Sequence, residues 1–228
     1  MKLLTTANYK TVKGEKLGYL TGILYLAPSN TVKGINVCKH ATSGCKLACL
    51  YSAGQGAFNC VQKARIKKTE LFRDNTSLFF ELLKKDITAL ERKAKKLGLV
   101  PCIRLNGTSD IDWQKIVDGN GNSLFDLFPN IQFYDYTANY DLNFMSLPKN
   151  YSVTFSRKEN NEKFCMKLLH NGTINVAMVF KTLPSEYRGY KVVNGDISDV
   201  RFIDDKGVII GLSPKGKAKR DSSNFVIQ

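Results

Sequence analysis

Three cysteines in the first quarter of the chain are the residues best suited to chemistry. Cys38 and Cys45 are separated by six residues, and Cys45 and Cys49 by three. Thiolates bind soft metals, and a flexible loop can fold three sulfurs around one centre. The nearby Lys39 and Lys46 would favour thiolate over thiol. The sequence therefore predicts a metal centre on these cysteines.

The number of ligands separates the metals that this centre could hold. A cubane 4Fe-4S cluster held by three cysteines keeps one iron open, which suits radical chemistry with S-adenosylmethionine. A structural zinc site usually closes with four ligands, and His40 or Cys60 could supply the fourth. We expect the iron–sulfur cluster first and zinc as the alternative. Cys102 and Cys165 lie in apolar segments, where cysteine is typically a small buried hydrophobe.

Polar residues follow several apolar, strand-like segments later in the chain. In a parallel sheet, ligands bind at the carboxyl ends of the strands, so these residues are expected to share one pocket. Cofactor contacts to the amino-acid or ribose part of S-adenosylmethionine are predicted for Asn106, Ser109 and Asp110. The candidate catalytic residues, of which the last three would line the substrate side, are Asp110, Tyr136, Arg157 and Lys215.

An acid-rich segment offers a different chemistry. Asp196 and Asp199 lie three residues apart and could bind Mg²⁺ for phosphodiester cleavage. The same residues also fit a turn and an ion pair with Arg201. A magnesium-dependent nuclease is therefore a further alternative.

The elements that must position these residues alternate along the chain. A β-rich segment at 19–26 precedes the cysteine loop at about 36–52, and a long helical region follows it. Asn75 or Thr76 can cap the second helix of that region, and Gly98 can end it. Strand-like segments then alternate with shorter helical ones. This order predicts an α/β fold with a mainly parallel sheet, as a partial (β/α) barrel-like single domain over residues 1–228.

The charge of the chain is high and uneven. The net charge is +14, of which residues 1–100 carry +12 and residues 101–228 carry +2. A basic half indicates an anionic partner, most often a nucleotide or a nucleic acid. A basic face is expected on the first long helix from Lys63, Arg65, Lys67, Lys68 and Arg73. The oligomeric state has no signature in the sequence.

The composition bounds the class of protein. Hydrophobic residues make up 43% and charged residues 24%, which is typical of a globular chain. No apolar run approaches the roughly 20 residues that span a bilayer, and residues 1–6 lack the apolar core of a secretory signal. We therefore expect no membrane contact and a cytoplasmic location, where clustered cysteines indicate metal or redox chemistry rather than disulfides.

Several stretches together resemble a family of uncharacterised bacteriophage proteins, the gene-product-88 type. The resemblance extends from about residue 20 to the end of the chain. The stretches are the Cys38, Cys45 and Cys49 segment, 104–110, 133–137, 154–157, 194–196, Arg201-Phe202 and the region of Gly211 and Lys215-Gly216. It implies a phage or prophage origin, and hence the cytoplasm of the host cell, and it supplies no activity.

A looser resemblance is to the radical S-adenosylmethionine enzymes. They also carry a three-cysteine loop after the first strand of an α/β array, with spacings of three and two residues where this chain has six and three. The leading hypothesis is therefore an iron–sulfur enzyme acting with S-adenosylmethionine on a nucleotide or nucleic acid. The alternatives are a zinc-stabilised nucleic-acid-binding protein without catalysis and the magnesium-dependent nuclease.

Overall fold

Helices and strands alternate along most of the chain in the computed structural model, which describes residues 1–6 and 9–228. The helices are α1 Tyr9–Glu15, α2 Ser43–Leu47, α3 Asn59–Asp74, α4 Thr76–Leu97, α5 Leu124–Leu127 and α6 Glu162–His170. The strands are β1 Leu4–Thr5, β2 Tyr19–Leu24, β3 Val100–Arg104, β4 Gln132–Thr137, β5 Tyr151–Ser156, β6 Asn175–Phe180, β7 Glu186–Tyr187, β8 Tyr190–Asn194, β9 Ile209–Leu212 and β10 Val226–Ile227.

Helix α4 shows how the local sequence sets its own limits. The Asn75 side chain accepts a hydrogen bond from the Leu78 amide at 2.9 Å and caps the first turn. Gly98 ends the helix with φ of 66°, a left-handed conformation that glycine adopts without steric cost. Both boundaries were predicted and are confirmed. Between them, an apolar stripe that includes Leu83 and Ile87 packs against β2 and β3.

The sheet is mainly parallel, as predicted. In the described residues its strands follow the order β1-β2-β3-β4-β5-β6-β9-β8-β7, with β10 paired to β6. Every neighbouring pair from β2 to β8 along this path is parallel, whereas β1 pairs antiparallel with β2 and β7 antiparallel with β8. The carboxyl ends of β2, β3, β4, β5, β6 and β9 therefore meet at one edge.

The barrel-like part of the fold prediction is not confirmed. The strand path starts at β1 and stops at β7, and no pairing between these two ends closes it in the described part of the chain. The protein is thus a mixed α/β domain built on an open sheet. Among the helices that the structure describes, none is both long and apolar enough to cross a membrane.

Several short elements differ from the sequence-based predictions. After β3, where a short helical segment is expected, the structure has a single 3-10 turn at Trp113–Lys115. The cysteine segment, expected as a loop, contains α2. Strands β1, β7 and β10 have two residues each, so no alternation of apolar residues could reveal them.

The packing of α4 on the sheet can be tested by shortening one buried side chain. Leu83 is fully buried in the main core, so Leu83→Ala should leave a cavity and lower the free energy of unfolding by about 2–5 kcal/mol. Leu97→Ala, at the 55% exposed last residue of the same helix, is the control and should cost little. Equal losses in chemical denaturation would contradict this orientation of α4.

Candidate metal centre

The three predicted cysteines lie around one cavity at the carboxyl edge of the sheet. The chain leaves β2 at Leu24 and carries Cys38 in an irregular stretch, Cys45 within α2, and Cys49 just after that helix. All three are free thiols of intermediate exposure, and all three line a cavity of about 1340 Å³. The structure therefore brings together the residues that the sequence predicted as metal ligands.

Cys38 and Cys49 are held in surroundings that disfavour the thiolate in the absence of a metal. Burial raises the pKa of Cys38 to about 12 and also raises the pKa of Cys49. The Ser29 amide donates a hydrogen bond to the Cys38 sulfur at 3.2 Å. A metal that binds these sulfurs would therefore displace protons from both of them.

Cys45 has a cationic neighbour that the sequence did not reveal. The Lys158 ammonium lies 2.8 Å from the Cys45 sulfur, and the lysine is only 9% exposed. Burial would lower the pKa of Lys158, but Cys45, Asp110 and Cys38 outweigh burial and raise it. The lysines expected to perform this role, Lys39 and Lys46, are exposed. The correct neighbour lies more than 100 positions away in the sequence, beyond the reach of any local pattern.

Glu159, the next residue, holds the amino end of the cysteine helix. One carboxylate oxygen accepts a hydrogen bond from the Thr42 hydroxyl at 2.7 Å, and the other accepts one from the Gly44 amide at 2.8 Å. Thr42 in turn caps α2 by accepting from the Cys45 amide. Burial would raise the pKa of Glu159, but these hydrogen bonds outweigh burial and lower it. The orientation of Cys45 therefore depends on the segment that follows β5.

The three cysteines line one cavity without forming a finished ligand set in the described residues. Among the residues that the structure describes, no three His, Cys, Asp or Glu side chains form a group that could hold a metal ion. His40 packs edge-to-face against Tyr140, with ring centroids 4.7 Å apart, and lies 4.0 Å from the Asp141 carboxylate. Cys60 is exposed at the cavity margin. The fourth ligand for zinc therefore stays a prediction.

The predicted cofactor residues line the same cavity, in the loop after β3 that also contacts Cys38. The side-chain oxygen of Asn106 accepts hydrogen bonds from the Ser109 hydroxyl, the Ile111 main-chain amide and the Trp113 indole N–H. Its amide group donates to the Ile111 carbonyl and to the Asp135 carboxylate. A cofactor contact from Asn106 would have to replace one of these bonds. Asn106 therefore acts first as the residue that shapes its loop.

Asp110 has more capacity left than Asn106. Its carboxylate accepts hydrogen bonds from the Thr137 hydroxyl at 2.7 Å and from the Ala138 amide at 2.9 Å. A carboxylate has about four lone-pair sites, so acceptor capacity remains for a ligand. Burial is the main reason why the pKa of Asp110 is raised. Ser109 lies beside it on the same cavity wall.

The three residues predicted on the substrate side differ in how far they are free. The Tyr136 hydroxyl is buried and has no hydrogen-bond partner among the described residues. The Arg157 guanidinium donates to the main-chain carbonyls of Asn224 and Phe225 and to the Glu162 carboxylate. Lys215 forms an ion pair with Asp196 at 2.8 Å. All three predicted residues line the cavity, and among the described residues the Tyr136 hydroxyl and the Arg157 Nε atom have no hydrogen-bond partner.

The two acids of the nuclease alternative are both bound to cations. Asp196 pairs with Lys215, and its second oxygen accepts from the Ser213 amide. Asp199 forms a buried ion pair with Arg104 at 3.0 Å. Although both residues line the cavity, a magnesium ion would have to displace these cations first. The two acids are also engaged in different bonds, so their spacing of three residues does not make them one site.

The basic face predicted on α3 is only partly present. Lys63 and Lys67 are exposed, but Arg65 and Lys68 are buried. The Lys68 ammonium donates to the Leu3 carbonyl at 2.6 Å, and Arg65 lines the cavity. The basic residues of α3 therefore lie on two faces of the helix, because residues three or four apart share a face and their neighbours do not.

Fold and site together define a mixed α/β protein with a cysteine-bearing loop over the carboxyl edge of a mainly parallel sheet. A family model described as Gene product 88 matches residues 2–228, and the chain belongs to that phage gene-product family. The predicted family is thereby confirmed. No curated protein and no solved structure matches the chain, and the likeness to radical S-adenosylmethionine enzymes gains no support from these comparisons.

The hold of Glu159 on α2 predicts a local change on substitution. Glu159→Gln removes the charge that strengthens both hydrogen bonds, so amide hydrogen exchange at Gly44 and Cys45 should quicken by about tenfold. Glu91→Gln, on the exposed face of α4, is the control and should leave these rates unchanged. Unchanged protection in the Glu159 variant would show that the carboxylate does not hold the helix.

The ion pair of Asp196 predicts a pH-dependent contribution to stability. Burial would raise the pKa of Asp196, but hydrogen bonds from Lys215 and Ser213 outweigh burial and lower it to about 2. The ionised carboxylate therefore stabilises the folded state above about pH 4, and this stabilisation is lost as the pH falls toward 2.

Asp196→Asn should therefore lower the free energy of unfolding at pH 7 by about 1 kcal/mol, because partial exposure screens the interaction. The difference from the unsubstituted protein should shrink as the pH is lowered from about 4. Asp205→Asn, in an exposed ion pair with Lys191, is the matched control and should have little effect. A loss of equal size at every pH would refute this origin of the stabilisation.

Proposed function

We propose that this chain is an iron–sulfur enzyme that holds a 4Fe-4S cluster on Cys38, Cys45 and Cys49 and binds S-adenosylmethionine beside it. Its substrate would be a nucleotide or nucleic acid of the infected cell. The observation that carries the proposal is the shared cavity: the three thiols line it together with residues that follow β3, β4, β5 and β9. Such a convergence of strand ends is the usual place for ligands in parallel α/β sheets.

The donor set fits a cluster better than a single ion. Zinc needs its ligands within about 2.3 Å of one atom, so the sulfurs of a zinc site lie close together. In a cubane, each cysteine binds a different iron, and the sulfurs stay further apart. Three cysteines line the cavity, a number that leaves one iron of a cubane open, whereas a closed zinc site needs a fourth ligand. When bound, the cluster would supply the one-electron chemistry that S-adenosylmethionine requires.

The chain itself would prepare the metal site through charge. Three thiolates bring three negative charges into a partly buried cavity, and Lys158 is the cation already in contact with one of their sulfurs. Its ammonium would stabilise the Cys45 thiolate by a charge-assisted hydrogen bond. Glu159 would fix the helix that carries Cys45. These two residues give the loop after β5 a positioning role.

Ligand contacts would come from the loop after β3, which lines the cavity. The free acceptor capacity of Asp110 suits the amino group or the ribose hydroxyls of S-adenosylmethionine, and the Ser109 hydroxyl, whose proton is donated to Asn106, can accept from the same ligand. The buried Tyr136 hydroxyl, which has no partner among the described residues, is the candidate to contact the substrate. Arg157 would act through the carbonyls of Asn224 and Phe225, by holding the segment that packs beside the cavity.

Metal content decides this proposal. Protein purified without oxygen should contain about four iron atoms and about four sulfides per chain, with the visible charge-transfer absorption of thiolate-bound iron. Cys38→Ala, Cys45→Ala and Cys49→Ala should each lose most of the iron. Cys60→Ala, an exposed cysteine at the cavity margin, is the control and should retain it.

Two results would overturn the iron–sulfur assignment. One zinc per chain without iron, lost in the same three variants, would identify a structural zinc protein. A chain that binds neither metal would remove the cluster altogether. In either case the cavity would still need a ligand, and the radical chemistry would be excluded.

A further inference from the structure

Arg65 is a buried cation without a described counterion. It lies on α3 with 8% of its surface exposed, and it lines the same cavity as the cysteines. Its Nε and Nη1 atoms are buried and have no hydrogen-bond partner among the described residues. No carboxylate in the described chain forms an ion pair with it. A buried guanidinium left in this state is costly unless a ligand satisfies it.

The surroundings of Arg65 do not supply that partner. The rings of Tyr25 and Tyr51 lie 4.6 Å and 5.7 Å from its guanidinium carbon. Aromatic faces attract the cation by about 0.5–2 kcal/mol but accept no hydrogen bond in the plane of its N–H groups. Burial lowers the pKa of Arg65, yet arginine keeps its proton in proteins, so the charge remains.

The other buried cations of the cavity wall show the contrast. Arg104 is paired with Asp199, Arg157 donates to Glu162, and Lys158 donates to Cys45. Each of these three has an acid or a sulfur as its partner within the chain, and Lys68, which also lines the cavity, donates to the Leu3 carbonyl. Arg65 has none in the described residues, which singles it out as the group prepared for an anion from outside.

We propose that Arg65 binds the phosphate group of the substrate at the wall of the cavity formed by Tyr25 and Tyr51. The planar guanidinium matches the oxygens of a phosphate and can donate two parallel hydrogen bonds to them. The inference rests on the proposed function, because it names the part of the nucleotide that this site recognises.

The test compares binding of phosphate-bearing and phosphate-free probes to the purified protein. The probes are inorganic phosphate, the deoxynucleoside 5′-monophosphates and the corresponding nucleosides, measured by titration calorimetry. The monophosphates should bind about 10–100-fold more tightly than the nucleosides, which is the effect expected for charge-assisted hydrogen bonds. Arg65→Met should abolish this preference, and Arg65→Lys should keep part of it.

Lys67→Met is the matched control, since Lys67 lies on the exposed side of the same helix and the substitution removes the same charge. It should leave the preference for phosphate intact. A short single-stranded oligonucleotide with the same base distinguishes the phosphate of a free nucleotide from a backbone phosphate. Binding of only one of these two ligands would identify its source.

The outcomes separate this site from the metal centre. An unchanged phosphate preference in a folded Arg65→Met or Arg65→Lys protein would overturn the inference. Loss of iron from these variants with unchanged phosphate binding would also overturn it, because Arg65 would then serve to balance the charge of the cysteines. Protein that binds no iron but prefers phosphate through Arg65 would refute the cluster and leave the anion site standing.

Discussion

The contact between the loop after β5 and the cysteine helix is the interaction on which the candidate site depends. Lys158 reaches the Cys45 sulfur, and Glu159 holds the Thr42 hydroxyl and the Gly44 amide. These consecutive residues join segments that are more than 100 positions apart in the sequence. Because α2 has only five residues, it gains little stability from its own hydrogen bonds, and these tertiary contacts determine where it lies.

A second buried network holds the part of the cavity wall that is formed by the loop after β3. The Asp135 carboxylate is fully buried. It accepts hydrogen bonds from the main-chain amide of Asn106 at 2.6 Å and from the Tyr151 hydroxyl at 3.2 Å. Burial raises the pKa of Asp135 to about 8. Through Asn106 this network orders the loop that carries Ser109 and Asp110. A ligand in the cavity would thus meet groups whose positions are set before it binds.

The sequence predicted those features that depend on local patterns. The apolar stripe of α4, its Asn75 cap and its Gly98 end are each encoded within a few residues, and the structure has all three. The parallel sheet followed from the alternation of strands and helices. The gathering of the cysteines with the strand-end residues followed from the geometry of such a sheet. What these predictions share is that none requires knowledge of a particular tertiary contact.

The features that escaped prediction are those set by distant partners. Lys158 contacts Cys45, and Asn106 forms its hydrogen bonds with Asp135 and with its own loop. Both result from packing between segments that are far apart in the sequence. Arg65 reads as one member of a basic helix face, yet the packing of α3 turns it toward the cavity. The open edge of the sheet likewise depends on β1 and β7, which are too short for periodicity to reveal.

The distribution of charge favours a small ligand over a long nucleic-acid strand as the occupant of the cavity. Helix α4 carries a net charge of +3 out of the +12 of residues 1–100, and its Lys85, Arg92 and Lys93 are exposed. No described residue of α4 lines the cavity. Of the buried cations that face it, Arg104, Arg157 and Lys158 are paired with an acid or a sulfur and Lys68 donates to a main-chain carbonyl, whereas the Nε and Nη1 atoms of Arg65 have no described partner. Exposed cations also line the cavity, namely Lys46, Lys217 and Lys219. A strand would gain most from the exposed charges, whereas a single phosphate inside the cavity would be held by the buried Arg65.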